Sequence, residues 1–352
     1  LTTTAESFRR RFGRLPAAVI AIEVGTHSPW VSRLLKQLGH EVLVANARKL
    51  RMIYDNRRKQ DKVDARMLAR VARMDRQLLA GIEHRPEQLA QHLSIVRSRD
   101  VLVRARTKLI NHVRGAVKSS GSRVTRCASE TFARTARGQL PAGAMRQALS
   151  PVLVTIELLT TQIRDLDAKV DELGQKTYPE TKLLRQVPGV GPLIALVFVL
   201  TLQDPRRFAK SRTVGPYLGL VPALSQSGAS DPQLRITKEG DELLRRLLVQ
   251  AAQFILGPHG PDCDLRRFGL ALAARGGKNA KKRAIVAVAR KLAVLLHRLW
   301  KSGEVYEPLR LAPHPADDAI RPAAFDSVPP PGPPPQAARS LPGTERHGAT
   351  PA

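Results

Sequence analysis

The chain reads as a small α/β segment followed by a mostly α-helical body, and three observations predict this class. Two short β-rich runs, AAVIAIE (17–23) and EVLVA (41–45), flank one amphipathic helical stretch near the N-terminus. Apolar residues then recur in steps of three and four through two long segments, 86–118 and 149–173. Further helical patterns follow up to residue 300. Beyond Ala312, 11 of the 26 prolines crowd among Ala, Gly and charged residues, where no core can form, so a disordered tail is expected.

Taken in order, the first strand should be buried and should end at Glu23 before the turn residue Gly25. Ser28 and Pro29 then look like an N-cap and a first-turn proline, opening a helix through Trp30, Leu34, Leu35 and Leu38 that Gly39 and His40 stop. EVLVA has the length and β-branching of a buried parallel strand, so the unit is β-α-β. A second helix over 61–72 carries Val63, Met67 and Val71 at helical spacing.

The long segments carry Leu89, Leu93, Val96, Val103, Ile110, Val113 and Val117, then Leu149, Val152, Ile156, Leu159, Ile163, Leu166, Val170 and Leu173. Two such helices can pair as an antiparallel arm or each pair with another subunit. LLRQVPGVGPLIALVFVL (183–200) predicts two apolar helical segments about a Pro-Gly-Val-Gly turn, a helix-hairpin-helix. Helices over 242–254 and 281–300 complete the body, the latter with Ile285, Val288, Leu292, Leu295 and Leu299 on one face. The domain limits that follow are 1–80, 81–178, 179–303 and a Pro-rich tail over 304–352.

Composition limits function. Lys and Arg number 58 against 30 Asp and Glu, giving +28, a surplus too large for internal pairing. A polyanionic partner is the consequence, although basic toxins and ribosomal proteins share the balance. With aromatics at 4%, serial base stacking is disfavoured and backbone contacts should dominate. Cys127 and Cys263 form no CxxC pair, so neither a disulfide framework nor a zinc site is encoded, and a reducing cytosol fits. Apolar runs such as 194–202 are far short of a membrane span, so no membrane partner is expected.

Four groups of residues can carry chemistry. Asp61 and Asp64, three apart on a helix, share a face and could hold one divalent ion, both pointing inward, away from the basic stripe of Lys62, Arg66, Arg70 and Arg73. The alternative is a helix start, with Asp61 as N-cap and Asp64 favouring the dipole. Glu23 ends a strand where α/β folds present catalytic groups, or else simply pairs with a nearby Arg. Together the three acids, amid ten basic residues between Arg48 and Arg73, suit a metal-dependent phosphodiester site. Gly189 and Gly191 allow a DNA phosphate to approach backbone N–H groups, or else serve tight packing. Ser225, Ser227 and Ser230 lie in a loop of small residues (219–241), where serine usually does turn chemistry.

Five ordered strings carry a resemblance: AIEVGTHSPWVSRLLKQLGHEVLVAN, NRRKQDKVDARMLARV, LLRQVPGVGPLIALVFVL, YLGLVPALSQSG and LRITKEGDELLRRLLVQAA. From about Ile20 to Leu309 the chain resembles the DEDD transposases of the insertion sequence 110 family. The resemblance implies a ribonuclease-H/RuvC-like domain with four acidic metal ligands over 1–80, a coiled-coil insertion over 81–178, and a transposase domain with a nucleophilic serine over 179–303. Carried over by motif, the glutamate falls on Glu23, the paired aspartates on Asp61 and Asp64, and the serine on Ser227 with Ser225 as the neighbouring register. No counterpart of the family's first aspartate precedes Glu23, and Leu1 is not an initiator methionine, so an N-terminally truncated copy is expected.

What the resemblance implies is cutting and rejoining of DNA at element ends and target, directed by a structured RNA, with Mg²⁺ or Mn²⁺ at the carboxylates and Ser227 joined covalently to DNA. Homo-oligomerisation brings two domains to one composite site. Two alternatives stand beside it: a catalytically defective nucleic-acid-binding remnant, and a junction-resolving nuclease that uses metal and water.

Overall fold

The computed structural model describes residues 2–46, 61–227, 230, 232 and 234–310; the expected Pro-rich tail from 311 and the basic run 48–59 lie outside them. The order of elements is α1 (Ala5–Phe12), β1 (Val19–Glu23), α2 (Ser28–Gln37), β2 (Glu41–Ala45), α3 (Asp61–Met74), α4 (Glu87–Ser119), α5 (Phe132–Gln139), α6 (Ala144–Lys176), α7 (Pro192–Leu202), α8 (Glu242–Leu256), α9 (Asp264–Ala274) and α10 (Ala280–Ser302). The fold is mostly helical, with a small two-stranded parallel sheet.

β1 and β2 pair in parallel from Val19 opposite Glu41 to Glu23 opposite Ala45, with α2 as the crossover. The β-α-β unit is as expected, but β1 is not a buried strand. Its three central residues are only half-buried and both ends are exposed, because α3 packs on it and no third described strand flanks it. Ser28 is the first residue of α2 rather than its cap. Its hydroxyl instead closes the preceding turn, accepting from Gly25 N at 3.0 Å and donating to Gly25 O at 2.8 Å. The helix α1 was not anticipated. Buried His40 holds it: one ring nitrogen lies 3.0 Å from Phe12 O and the other 3.3 Å from Ala18 N.

α4 and α6, 33 residues each and so about 50 Å long, pack on each other. The arm is therefore built within one chain. The seam of α6 runs through Leu149, Leu153, Ile156, Thr160 and Ile163. Leu153 and Thr160 thus replace the expected Val152 and Leu159, which lie half-buried at its side. Thr160 is admitted because buried Arg106 of α4 faces it, donating to its hydroxyl at 3.3 Å and to Glu130 at 2.9 Å. At the tip, α5 inserts the fully buried Phe132 between the two helices, an element that the polar sequence around it concealed.

The arm's base merges with the C-terminal helices in one core, where Leu93, Val96 and Val170 join α7, α8 and α10. The expected pair of apolar helices around Pro-Gly-Val-Gly is one full helix, α7, preceded by a single turn at Thr181–Leu184. The unanticipated α9 packs on α10. Residues 304–308, expected in the tail, are bonded to this core through Asp264 N to Pro308 O (2.8 Å) and Tyr306 N to Gln186 Oε1 (3.0 Å).

His297 on α10 fastens the 205–213 loop. Its Nε2 lies 2.9 Å from Pro205 O, which only accepts, so Nδ1 must accept from Ser211 Oγ at 2.9 Å. Burial first, then Lys301, pushes its pKa below the ordinary 6.5, against the Pro205 hydrogen bond, so it is held neutral. The unfolded chain therefore binds this proton more readily. Stability from the site is complete above about pH 6.5 and falls as pH drops toward the lower folded value. Thermal melts from pH 7.5 to 5 should show Tm declining below 6.5, with a shallower decline in His297→Gln; equal slopes would contradict the assignment.

Candidate functional site

The carboxylates come first. α3 packs on β1, and Arg76 just past its end reaches Glu41, at the start of β2, at 2.6 Å. Leu68, in mid-helix, shares a cluster with Ala45 at the end of β2. Ala45 is the register partner of Glu23, so the middle of α3 shares a cluster with the strand end where Glu23 stands. Asp64 sits one turn before Leu68 and is half-buried, whereas Asp61 and Glu23 are exposed. Only one of the two aspartates faces inward, contrary to the expectation for both. Lys62, Arg66, Arg70 and Arg73 form the exposed stripe as expected.

Among the described residues, no three Asp, Glu, His or Cys side chains gather closely enough to hold an ion. As placed, Glu23, Asp61 and Asp64 do not close a metal site.

The serine loop is a clamped hairpin. Its limbs pair through Ala223 N to Arg235 O (2.9 Å) and Thr237 N to Val221 O (2.9 Å), and near the tip Ser227 and Ser230 exchange backbone hydrogen bonds at 3.2 and 3.0 Å. Ser225 and Ser227 are both exposed. At the base, Gly219 and Gly240 both have positive φ, and a Cβ on either would fall 2.3 Å from Glu239 N or 2.2 Å from Tyr217 O. Arg245 of α8 bonds Leu218 O (3.1 Å) and Glu239 O (2.8 Å), spanning both limbs. Next to this base, Asp241 caps α8 by accepting from Leu244 N at 2.9 Å.

Ion pairs then join the arm to the same place. Arg97 of α4 meets Asp241 at 3.4 Å, Arg104 meets Glu242 at 3.4 Å, and Arg246 of α8 meets Asp100 at 2.7 Å. Sequence reading missed this network because its partners lie about 140 residues apart. No local spacing could have revealed it.

The Pro-Gly-Val-Gly turn divides between the two readings. Gly189 has φ +79° and lies against α8, where a Cβ would meet Ala251 O at 3.0 Å, so packing explains it. Gly191 has ordinary φ and open space at its Cβ direction. Its freedom is not needed for packing.

Comparison with known proteins decides the family. Residues 181–263 match the Transposase IS116/IS110/IS902 family, and residues 4–120 match the DEDD transposase model of the IS110 group. The chain is 30% identical to the Pseudomonas aeruginosa protein named "Probable family 20 transposase", over 84% of its own length and 88% of that protein's. The chain belongs to the IS110 family of transposases. A transposase for insertion sequence element IS1111A from Coxiella burnetii is 29% identical over 72% of this chain and 70% of that one. The transposase is thus an enzyme of DNA transposition, and its DEDD domain implies a divalent metal. Because the DEDD match opens at residue 4, it lends no support to the expected N-terminal truncation. Among the described residues, no helix is long and apolar enough to cross a membrane.

The two glycines of the turn give a direct contrast. Gly189→Ala should lower the Tm by several degrees, since a strained φ and a backbone clash together cost about 1–3 kcal/mol. Gly191→Ala should leave it within about a degree. Paired melts check this, and equal melting of the two variants would remove the packing explanation.

Proposed function

We propose that this transposase cuts and rejoins DNA with Ser227 as nucleophile, directed by a structured RNA and acting as a homo-oligomer. The observation that carries the reading is the hairpin: an exposed Ser227 near the tip of a loop whose base is locked by two irreplaceable glycines and by Arg245. A reactive group needs a firm mount and an open approach, and the locked base with an exposed Ser227 supports that reading. In the step itself the Ser227 hydroxyl oxygen attacks a DNA phosphorus and its proton passes to a base. The bond to the departing strand's oxygen breaks, and that oxygen takes up a proton. A second strand's hydroxyl later displaces the serine. One phosphodiester is exchanged for another at each stage, so no ATP is required.

Glu23, Asp61 and Asp64 are proposed as this chain's contribution to a Mg²⁺ or Mn²⁺ site that they do not complete alone. The net charge of +28 supports a partner bound through phosphates, which suits both DNA and the RNA that the family resemblance implies. Gly191, at the uncapped start of α7, is kept as a candidate phosphate contact, while Gly189 has its packing role.

Denaturing gels of labelled element-end DNA, with and without the element's RNA, test the nucleophile. A protein–DNA adduct should form with the parent and with Ser225→Ala and be lost in Ser227→Ala; loss in Ser225→Ala alone would move the nucleophile to Ser225. For the acids, Asp61→Ala with Asp64→Ala should abolish calorimetric Mn²⁺ binding at an unchanged Tm. A large fall in Tm, with no metal bound by the parent, would make them helix-start residues only.

A further inference from the structure

The turn between α9 and α10, RGGKNAKKR (275–283), holds Arg275, Lys278, Lys281, Lys282 and Arg283 within nine residues, with no acid among them. All five are exposed, and among the described residues none forms an ion pair. Many of the arginines elsewhere do. Arg97, Arg99, Arg104, Arg106, Arg137, Arg206, Arg246 and Arg267 each meet a carboxylate.

The turn is an exposed tip between two helices. Gly276 and Gly277 both have positive φ; a Cβ at Gly276 would meet nothing within 4 Å, and one at Gly277 only the Arg283 guanidinium. Arg283 in turn donates to Gly276 O at 3.2 Å, tying the turn to the helix that follows. Behind the tip, Lys291 stacks on the Phe268 ring at 3.9 Å and fixes α9 against α10.

The charges also sit where folding alone would not put them. Lys281, Lys282 and Arg283 fill the first turn of a 23-residue helix that has no acid there and no side-chain cap, with Asn279 in the left-handed region. Cations at that end oppose the helix dipole. The arrangement therefore lowers the stability of the isolated protein, and a bound anion relieves it.

We propose that this tip is a docking surface for the phosphodiester backbone of a nucleic-acid duplex, gripping it without reading bases. It is a second contact in addition to the Pro-Gly-Val-Gly turn, where Gly191 stays a candidate phosphate contact while Gly189 is packed against α8. The proposal rests on the nucleic-acid-binding reading above. It adds where the backbone is held. The tip offers no aromatic side chain and no acceptor-bearing side chain other than Asn279, so charge is the recognition chemistry.

The test uses the full chain, a triple variant with Lys281, Lys282 and Arg283 each replaced by Gln, and a control with Lys108, Lys118 and Lys169 of the arm each replaced by Gln. Both variants remove three exposed charges. Affinity for a duplex DNA and for a duplex RNA of the same sequence is measured from 50 to 200 mM salt, alongside Tm. If three phosphate contacts are lost, the slope of log affinity against log salt should fall by about 2.7 for the tip variant on DNA, making its loss across that range roughly 40-fold smaller. The slope on duplex RNA should fall by a comparable amount, and Tm should hold or rise. A slope change confined to one of the two duplexes overturns backbone gripping. An equal change in the arm control, an unchanged slope in the tip variant, or a lower Tm that accounts for the loss each overturn the tip as the surface. A parent chain that binds neither duplex overturns the nucleic-acid reading itself.

Discussion

Helix α7 has no polar face. Nine of its eleven residues are buried, and a helix apolar all round must be covered on every side before it is stable in water. The base of the arm packs on it from α4 and α6, α8 packs from another side, and Trp300 of α10 meets Phe198 edge-on at 6.3 Å between ring centroids. The turn that opens α7 must hug α8 as well, which is why Gly189 admits no side chain. Burying Ile194 through Leu202 is thus the constraint that draws distant segments of the chain into one core.

That core gives the arm and the serine hairpin a common footing. α4 leaves the core next to the start of α8, and the pairs from Arg97, Arg104 and Arg246 to Asp241, Glu242 and Asp100 stand at the junction. Most of these side chains are partly exposed, and pairs of that kind contribute little individually, commonly under about 1 kcal/mol. Together they tie the start of α8, beside the hairpin base, to the arm helix α4. Asp241 serves both ends of the junction, capping α8 while it accepts Arg97.

Charge is handled in two ways across the molecule. Within the arm and at its base, arginines are matched to carboxylates, as with Arg106 and Glu130 or Arg137 and Glu157. Glu130 is held below its ordinary range chiefly by its own backbone N–H, with Arg106 adding to this against the cost of burial. On the outer stripe of α3 and at the α9–α10 turn, cations stand without such partners among the described residues. Matched charges organise a fold, whereas unmatched ones of a single sign attract a polyanion at some cost to stability.

Sequence by itself determined the elements with strong local periodicity. The β-α-β unit, the helix from Asp61, both long arm helices, and α8 and α10 were legible because each shows its buried face within a few turns. It also carried the family, through strings whose order survives along the chain, and with it the candidate residues Glu23, Asp61, Asp64 and Ser227. Short elements were hidden: α1 and α5 are 8 residues each, and what places them is contact with distant groups, His40 for the first and the arm interior for Phe132. Only tertiary structure decided that the arm pairs with itself, that Thr160 belongs to its seam because Arg106 faces it, and that Asp61 is exposed while Asp64 turns inward. The physical reason is the same in each case. Periodicity reports which face of an element is apolar, but partners far along the chain decide what covers that face and where a charge can be left open.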